Sequence, residues 1–305
     1  MSNQEHFDLS GQKIAPKYVE RIHTETQKQE VDEKEKDPRL ETVLERINFD
    51  ILEKIFKDYA TKSGLTGKIN FLGRDRIRHF TDGDDIEASH LVIQNLIALS
   101  FDKMKTRDDQ TIGLIILHKL CHEEAHAVSR LKEVLSLSEQ GNELKVKAES
   151  IASGYRQDTL LRAFNEGVVE RLAQEVFNRY LQADPAFADN AQKSFYFERL
   201  KEHPESLTDY ASAVRFVEVL SKKIAQEVGV SEQLVWQALI RGLFEGEDFD
   251  SPELQSDFED IFPESFLEKL KNQEVLGNYD ELFSMINDGK LVRWFKRFLK
   301  TKTPH

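Results

Sequence analysis

The feature that most constrains this chain is an apolar run, Ile112-Gly113-Leu114-Ile115-Ile116-Leu117, followed at once by His118-Lys119-Leu120-Cys121-His122-Glu123-Glu124-Ala125-His126. Apolar residues on every side of a helical wheel predict a helix buried all round, and the segment from Gln110 to Val134 reads as one long helix. Three histidines and two glutamates sit in the middle of it. Ionisable side chains are costly to bury without partners, so whatever packs on this helix has to complement them. His122 and His126 stand one turn apart, which sends both rings from the same face towards one metal ion. Glu123 lies about 100° around the helix from His122, close enough to reach a water beside that metal without being a ligand. His118 is one turn earlier on the same face. Three ligands on consecutive turns of a straight helix do not converge on a tetrahedral ion, so His118 reads as a core or supporting histidine. Cys121 points to another face and reads as a small buried apolar residue.

A zinc site that performs chemistry commonly takes three protein ligands and leaves a fourth position open. The candidate for the third is Glu166, in Phe164-Asn165-Glu166-Gly167-Val168-Val169-Glu170. An acid between Phe164 and Gly167-Val168-Val169 occupies an unusually apolar setting. The surrounding pattern predicts a helix that Asp158 or Thr159 caps and that runs to about Leu181.

An H-E-x-x-H helix followed by an N-E-G-x-x-E helix resembles the gluzincin metallopeptidases, over roughly the two motif helices and their order. The resemblance implies a zincin-like fold and one zinc ion per chain, with His122, His126 and Glu166 as ligands. It also implies that Glu170 orients the first histidine and that Glu123 acts as general base in hydrolysis of a peptide bond by a zinc-activated water. A tyrosine or histidine from the helical half is expected to stabilise the oxyanion, and Tyr210 and His203 are the candidates. An extended substrate is expected along a strand edge, for which Asn95 to Phe101 is the natural choice. The chain departs from the family in three respects. The stretch between His126 and Glu166 is long, Glu170 stands where thermolysin-like enzymes carry Asp, and the Gly-x-Met-Glu-Asn segment of the aminopeptidases is absent. An aminopeptidase is therefore not implied.

The rest of the chain predicts an α+β fold, mostly α: a small mixed sheet packed on the motif helix, then a helical C-terminal half. Residues 1–38 read as a disordered polar tail, with a dense charge run from Glu30 to Asp37. A sheet-containing half over 39–157 opens with a helix near Glu41 to Tyr59. It continues with strands at Lys68 to Leu72 and Asn95 to Phe101, and a hairpin pairing Leu144–Ala148 with Ile151–Arg156. The helical half follows over 158–249, with helices at Leu207–Gly229 and Ser231–Phe244. An extension over 250–305 carries helices at Pro263–Asn272 and Gly289–Lys302. Residues 290–300 form a basic amphipathic pattern suited to weak contact with a membrane or a partner.

Composition narrows the partners. A formal net charge of -13 argues against nucleic acid, whose phosphates need clustered Lys and Arg. No stretch approaches the roughly 20 apolar residues that cross a bilayer. Met1 to Lys17 lacks the apolar run of a signal peptide, and the single cysteine, Cys121, excludes an intrachain disulfide. A cytoplasmic protein acting on peptides or proteins is the expectation. Two other readings compete. One is a catalytically silent zincin-fold binding module, against which the intact Glu123 speaks. The other is a di-iron helical protein, prompted by Glu20/His23, Glu87/His90 and Glu123/His126 at the spacing such sites use.

Overall fold

A computed structural model describes residues 4–8, 12–30, 37–65, 68–79, 87–105, 111–140, 143–157, 160–203, 208–246 and 264–287. The apolar run becomes helix α5 (Ile112–Val128), buried on almost every side. It stops well short of Val134. The backbone extends at Ser129, whose hydroxyl donates to the Ala125 carbonyl at 2.7 Å. Arg130 then donates its N–H to Leu243 O at 3.1 Å rather than to the helix. From there the chain enters strand β5 (Leu131–Gln140), which turns back as β6 (Glu143–Ser153). The expected hairpin is thus misregistered: Leu144–Ala148 and Ile151 belong to one strand, and their partner is the stretch read as the end of the helix.

Two small sheets flank α5. One has the order β1-β5-β6-β7, with β1 (Gln4–Asp8) parallel to β5 and β7 (Arg156–Gln157) antiparallel to β6. The other has the order β2-β4-β3, formed by β2 (Ile77–His79), β3 (Ala88–Leu91) and β4 (Leu96–Leu99). Within Asn95 to Phe101, the strand β4 is central, parallel to β2 and antiparallel to β3. Its edges are both used, so it cannot take an added strand. The edge strand that packs on α5 is β3. Lys68 to Leu72 is not a strand: the N–H groups of Leu72 and Gly73 bond to the Glu124 carboxylate, each at 3.1 Å, instead of to a neighbouring chain.

Helices make up most of what remains. The helix expected from Glu41 to Tyr59 is broken into α2 (Pro38–Leu44) and α3 (Phe49–Lys62), with Asn48 capping α3 through Ile51 N–H at 3.2 Å. Helix α6 (Arg162–Ala183) starts at Leu161, a buried residue with left-handed backbone (φ 56°). Asp158 and Thr159, the expected caps, lie outside the described residues. A short α4 (Phe101–Lys105) leads into α5. Beyond α6 come α7 (Asn190–Glu202), α8 (Ala211–Val228), α9 (Glu232–Glu245), α10 (Glu264–Asn272) and α11 (Asp280–Asn287). The last two are no separate extension, since Leu270, Tyr279, Leu282 and Ile286 join the main core. The fold is α+β and mostly helical.

Residues 1–38 are also more than a polar tail, because β1 and α1 (Pro16–Glu30) are formed there. Hydropathy alone misses them, as β1 is a strand only by pairing with β5. The basic stretch 290–300 lies outside the described residues. Among the described residues, no helix is long and apolar enough to cross a membrane.

Candidate metal centre

Helices α5 and α6 pack closely together, and this brings the two motifs face to face. His122 Nε2 lies 3.2 Å from His126 Nε2 and 3.3 Å from Glu166 Oε2, and His126 Nε2 lies 3.1 Å from the same carboxylate oxygen. The three atoms form a nearly equilateral triangle, at spacings that either ring protons or a shared metal ion would bridge. Together the three residues make a group able to hold a metal ion.

The orientation of His122 is fixed from behind. Its Nδ1 donates to Glu170 Oε2 at 2.8 Å, so that in the neutral ring Nε2 is the lone-pair nitrogen turned to the triangle. The other oxygen of Glu170 lies 3.0 Å from His118 Nε2 and accepts from Gln174 Nε2 at 3.0 Å. His118 Nδ1 in turn meets the Tyr196 hydroxyl at 2.5 Å. His118 is thus a supporting residue that steadies Glu170, not a fourth donor.

With no ion bound, the carboxylates favour a proton on the facing histidines. Burial opposes charge on His122, yet the carboxylates of Glu166 and Glu170 outweigh it and push the imidazole up to about 10. Burial also favours neutral Glu166 and Glu170, but the facing histidines overcome it and hold both carboxyls far below the usual range. The interior here stabilises two negative charges with a positive charge between them.

Two further expected residues stand beside the triangle. Glu123 is only 6% exposed and close enough for its charge to raise both His122 and Tyr210. Tyr210, at the N-terminal cap of α8, stacks its ring on His122 with centroids 4.8 Å apart and planes 5° from parallel. Burial, then the charges of Glu166, Glu123 and Glu170, holds its phenol well above the ordinary value, hence protonated. His203, by contrast, is an exposed residue at the end of α7. Cys121 is fully buried, and burial pushes its thiol well up, as suits an inert core residue.

Several residues of the site escape a motif reading. Gly167, the glycine of the N-E-G stretch, lets α8 approach: a Cβ there would lie 2.6 Å from the Ala213 carbonyl oxygen. That close approach sets the first turn of α8, and with it Tyr210, against α5. Asn165 Oδ1 accepts from Tyr155 N–H at 3.0 Å, tying the start of α6 to the β6–β7 turn. Glu124 is wholly buried, and burial, opposed in part by the Leu72 and Gly73 N–H groups, pushes it up to about 8. An acid in a helix so apolar was the available signal. Among the described residues, the group able to hold a metal ion includes neither the Glu20/His23 nor the Glu87/His90 pair, so the di-iron spacing finds no second set of ligands there. Set beside known proteins, the chain matches no family model, no curated protein and no solved structure.

Proposed function

We propose that this chain is a zinc-dependent peptidase of the gluzincin type, with a zincin-like fold across its sheet and helical halves. The observation that carries the reading is the convergence of His122, His126 and Glu166 with Glu123 and Tyr210 at their side. Zinc suits the donor set: bonds of about 2.0–2.1 Å at the tetrahedral angle space ligand atoms by about 3.3–3.4 Å. The observed sides of 3.1, 3.2 and 3.3 Å are close to that. Two imidazoles and one carboxylate are also a ligand set that leaves one position open for chemistry.

Zinc bound there supplies Lewis acidity towards a carbonyl and acidifies water to a pKa near ~7. The chain's own residues do the rest. The Glu123 carboxylate accepts the proton of the attacking water and returns it to the departing amine. The protonated Tyr210 phenol donates a hydrogen bond to the oxygen on which negative charge develops. Glu170, held between His118 and His122, keeps the ligand imidazole in one tautomer throughout. An extended peptide, the expected substrate, would lie along β3, the strand edge beside α5.

The test is cleavage of an internally quenched peptide library by zinc-loaded wild type and by Glu123→Gln. Wild-type cleavage that falls by about 10²–10⁴-fold in the variant, with zinc retained, is expected for loss of a general base. Equal rates in the two proteins would sink the proposal.

A further inference from the structure

Helix α6 has a second polar face. Glu175 stands further along the helix from Glu166, and at about 100° per residue the separation turns it to the side opposite the metal centre. There α6 meets the C-terminal end of α3 and the first half of α9, and the three helices pack on one another. A cavity of about 400 Å³ opens between them, within the size range of small-molecule sites. Ile240 of α9 supplies its one aliphatic side chain among the described residues, and the rest of the lining is polar.

Two features of this lining are unexplained by packing. Ser63, which ends α3, is only 4% exposed, and its Oγ has no hydrogen-bond partner among the described residues. A buried hydroxyl left unpaired is costly in a folded chain. Glu175 and Arg179 stand at i and i+4 on α6, the spacing at which opposite charges join, yet no ion pair links them. Each is held from α3 instead: the Tyr59 hydroxyl donates to Glu175 Oε2 at 2.8 Å, and Arg179 donates to Asp58 Oδ2 at 2.8 Å. The Arg179 guanidinium also lies over the Tyr59 ring, 5.0 Å from its centroid. Burial, then the charge of Glu175, holds the Tyr59 phenol well above its ordinary value, hence protonated. The second oxygen of Glu175 is left 4.0 Å from Arg171 Nε, beyond hydrogen-bonding range. The cavity thus holds an anion and a cation apart, with the exposed Lys62 as a second cation in its lining.

We propose that this cavity binds a small zwitterion, a free α-amino acid. Its ammonium group donates to Glu175 Oε1 and to Ser63 Oγ, and its carboxylate takes Lys62 and the remaining N–H groups of Arg179. The amide side chains of Asn178 and Gln237, also in the lining, can donate to or accept from either end. A neutral polyol would leave both charges unmatched, and a simple anion would face Glu175 unfavourably. The site is independent of the peptidase reading, and no step of the proposed hydrolysis uses it.

The test uses the full-length chain as purified. Thermal unfolding is followed with each of the common free α-amino acids and with glucose as the neutral polyol, and any that stabilise go to titration calorimetry. At about ten times its Kd, a bound amino acid should raise Tm by about 2–4 °C. The matching deaminated acid and decarboxylated amine should each bind at least about tenfold more weakly, because each leaves one charged partner unpaired. Lys62→Gln, an exposed change that spares the core, should weaken binding about tenfold, and Glu175→Gln at least as much. Both variants should unfold as cooperatively as wild type. No stabilisation by any amino acid overturns the site, as does stabilisation by glucose alone. Equal binding of the deaminated acid marks a simple anion site and overturns the zwitterion. An affinity unchanged in either variant places the ligand elsewhere and overturns it too.

Discussion

The two helices that carry the candidate metal ligands and the N-terminal elements β1 and α1 are attached on different terms. On α5 and α6, the ionisable side chains His118, His122, Glu166 and Glu170 are almost wholly buried, and each faces a partner of opposite charge or a hydrogen-bonding group. β1 and α1 hold on by strand pairing along β5, the buried His6–Glu133 contact, a few exposed or half-buried ion pairs and a single buried apolar side chain, Ile22. The difference teaches that the α5–α6 pair is fixed by a network of compensated polar groups in the main core, whereas the N-terminal elements depend on strand pairing and one buried pair outside it. A ligand triangle needs the first kind of attachment, since a shift of about 1 Å in a donor costs a metal site its geometry.

Changes on the rigid side should cost most. Tyr210→Phe keeps the ring stacked on His122 but removes the hydrogen bond proposed for the developing oxyanion. It is expected to lower kcat by about 10²–10³ with KM and zinc content little changed, as steady-state kinetics would reveal. A variant with wild-type kcat would reduce Tyr210 to a packing residue. Glu170→Gln weakens the link between His118 and His122, so zinc affinity should drop by about 10–100-fold in competition with a chromogenic chelator. Unchanged affinity would mean that the ring of His122 is held by packing alone.

A milder break is Gly167→Ala. The added methyl meets the Ala213 backbone carbonyl, which cannot move as a side-chain end could. A loss of about 1–3 kcal/mol in denaturant stability is expected, together with a lower kcat as Tyr210 shifts with α8.

The smallest effect belongs to the docking of α1. His23, facing His6, Arg76 and His90, is pushed down to about 4, by burial first and then by the charges of His6 and Arg76. Docked, it is neutral; released, it takes up a proton near the ordinary value of about 6.5. Docking is therefore strongest above that value and weakens as pH falls from about 6.5 towards 4, because the released form binds more protons. Hydrogen exchange of residues 12–30, corrected for intrinsic rates, should show protection falling between pH 7.5 and pH 5. Constant protection across that range would remove His23 from the docking balance.

How much of this was legible in the sequence follows the same division. His122, His126 and Glu166 could be named because their spacing is local to two helices and because acids and histidines in apolar runs demand an explanation. Tyr210 was one of two candidates. Only the packing of α8 on Gly167 distinguishes it from His203, and that contact is invisible along the chain. The hairpin was missed because Leu131-Lys132-Glu133-Val134-Leu135 continues a helical pattern without glycine or proline. Its strand character comes from pairing with β6 and from the break at Ser129. Strand β1 was harder still, since Gln4–Asp8 is polar and is organised by partners some 127 residues away, as in the His6–Glu133 contact. Lys68 to Leu72 reads as a strand by its alternation, but its last N–H, that of Leu72, goes to Glu124, a side-chain acceptor that no periodicity announces.

The most direct test of the metal centre is the zinc content of purified protein by mass spectrometry, for wild type, Glu166→Ala and Glu123→Gln side by side. One zinc per wild-type chain, retained in Glu123→Gln and lost or much weakened in Glu166→Ala, is the result predicted. A wild type that takes up no zinc after reconstitution, or a Glu166→Ala chain that holds it as tightly as wild type, would contradict the account.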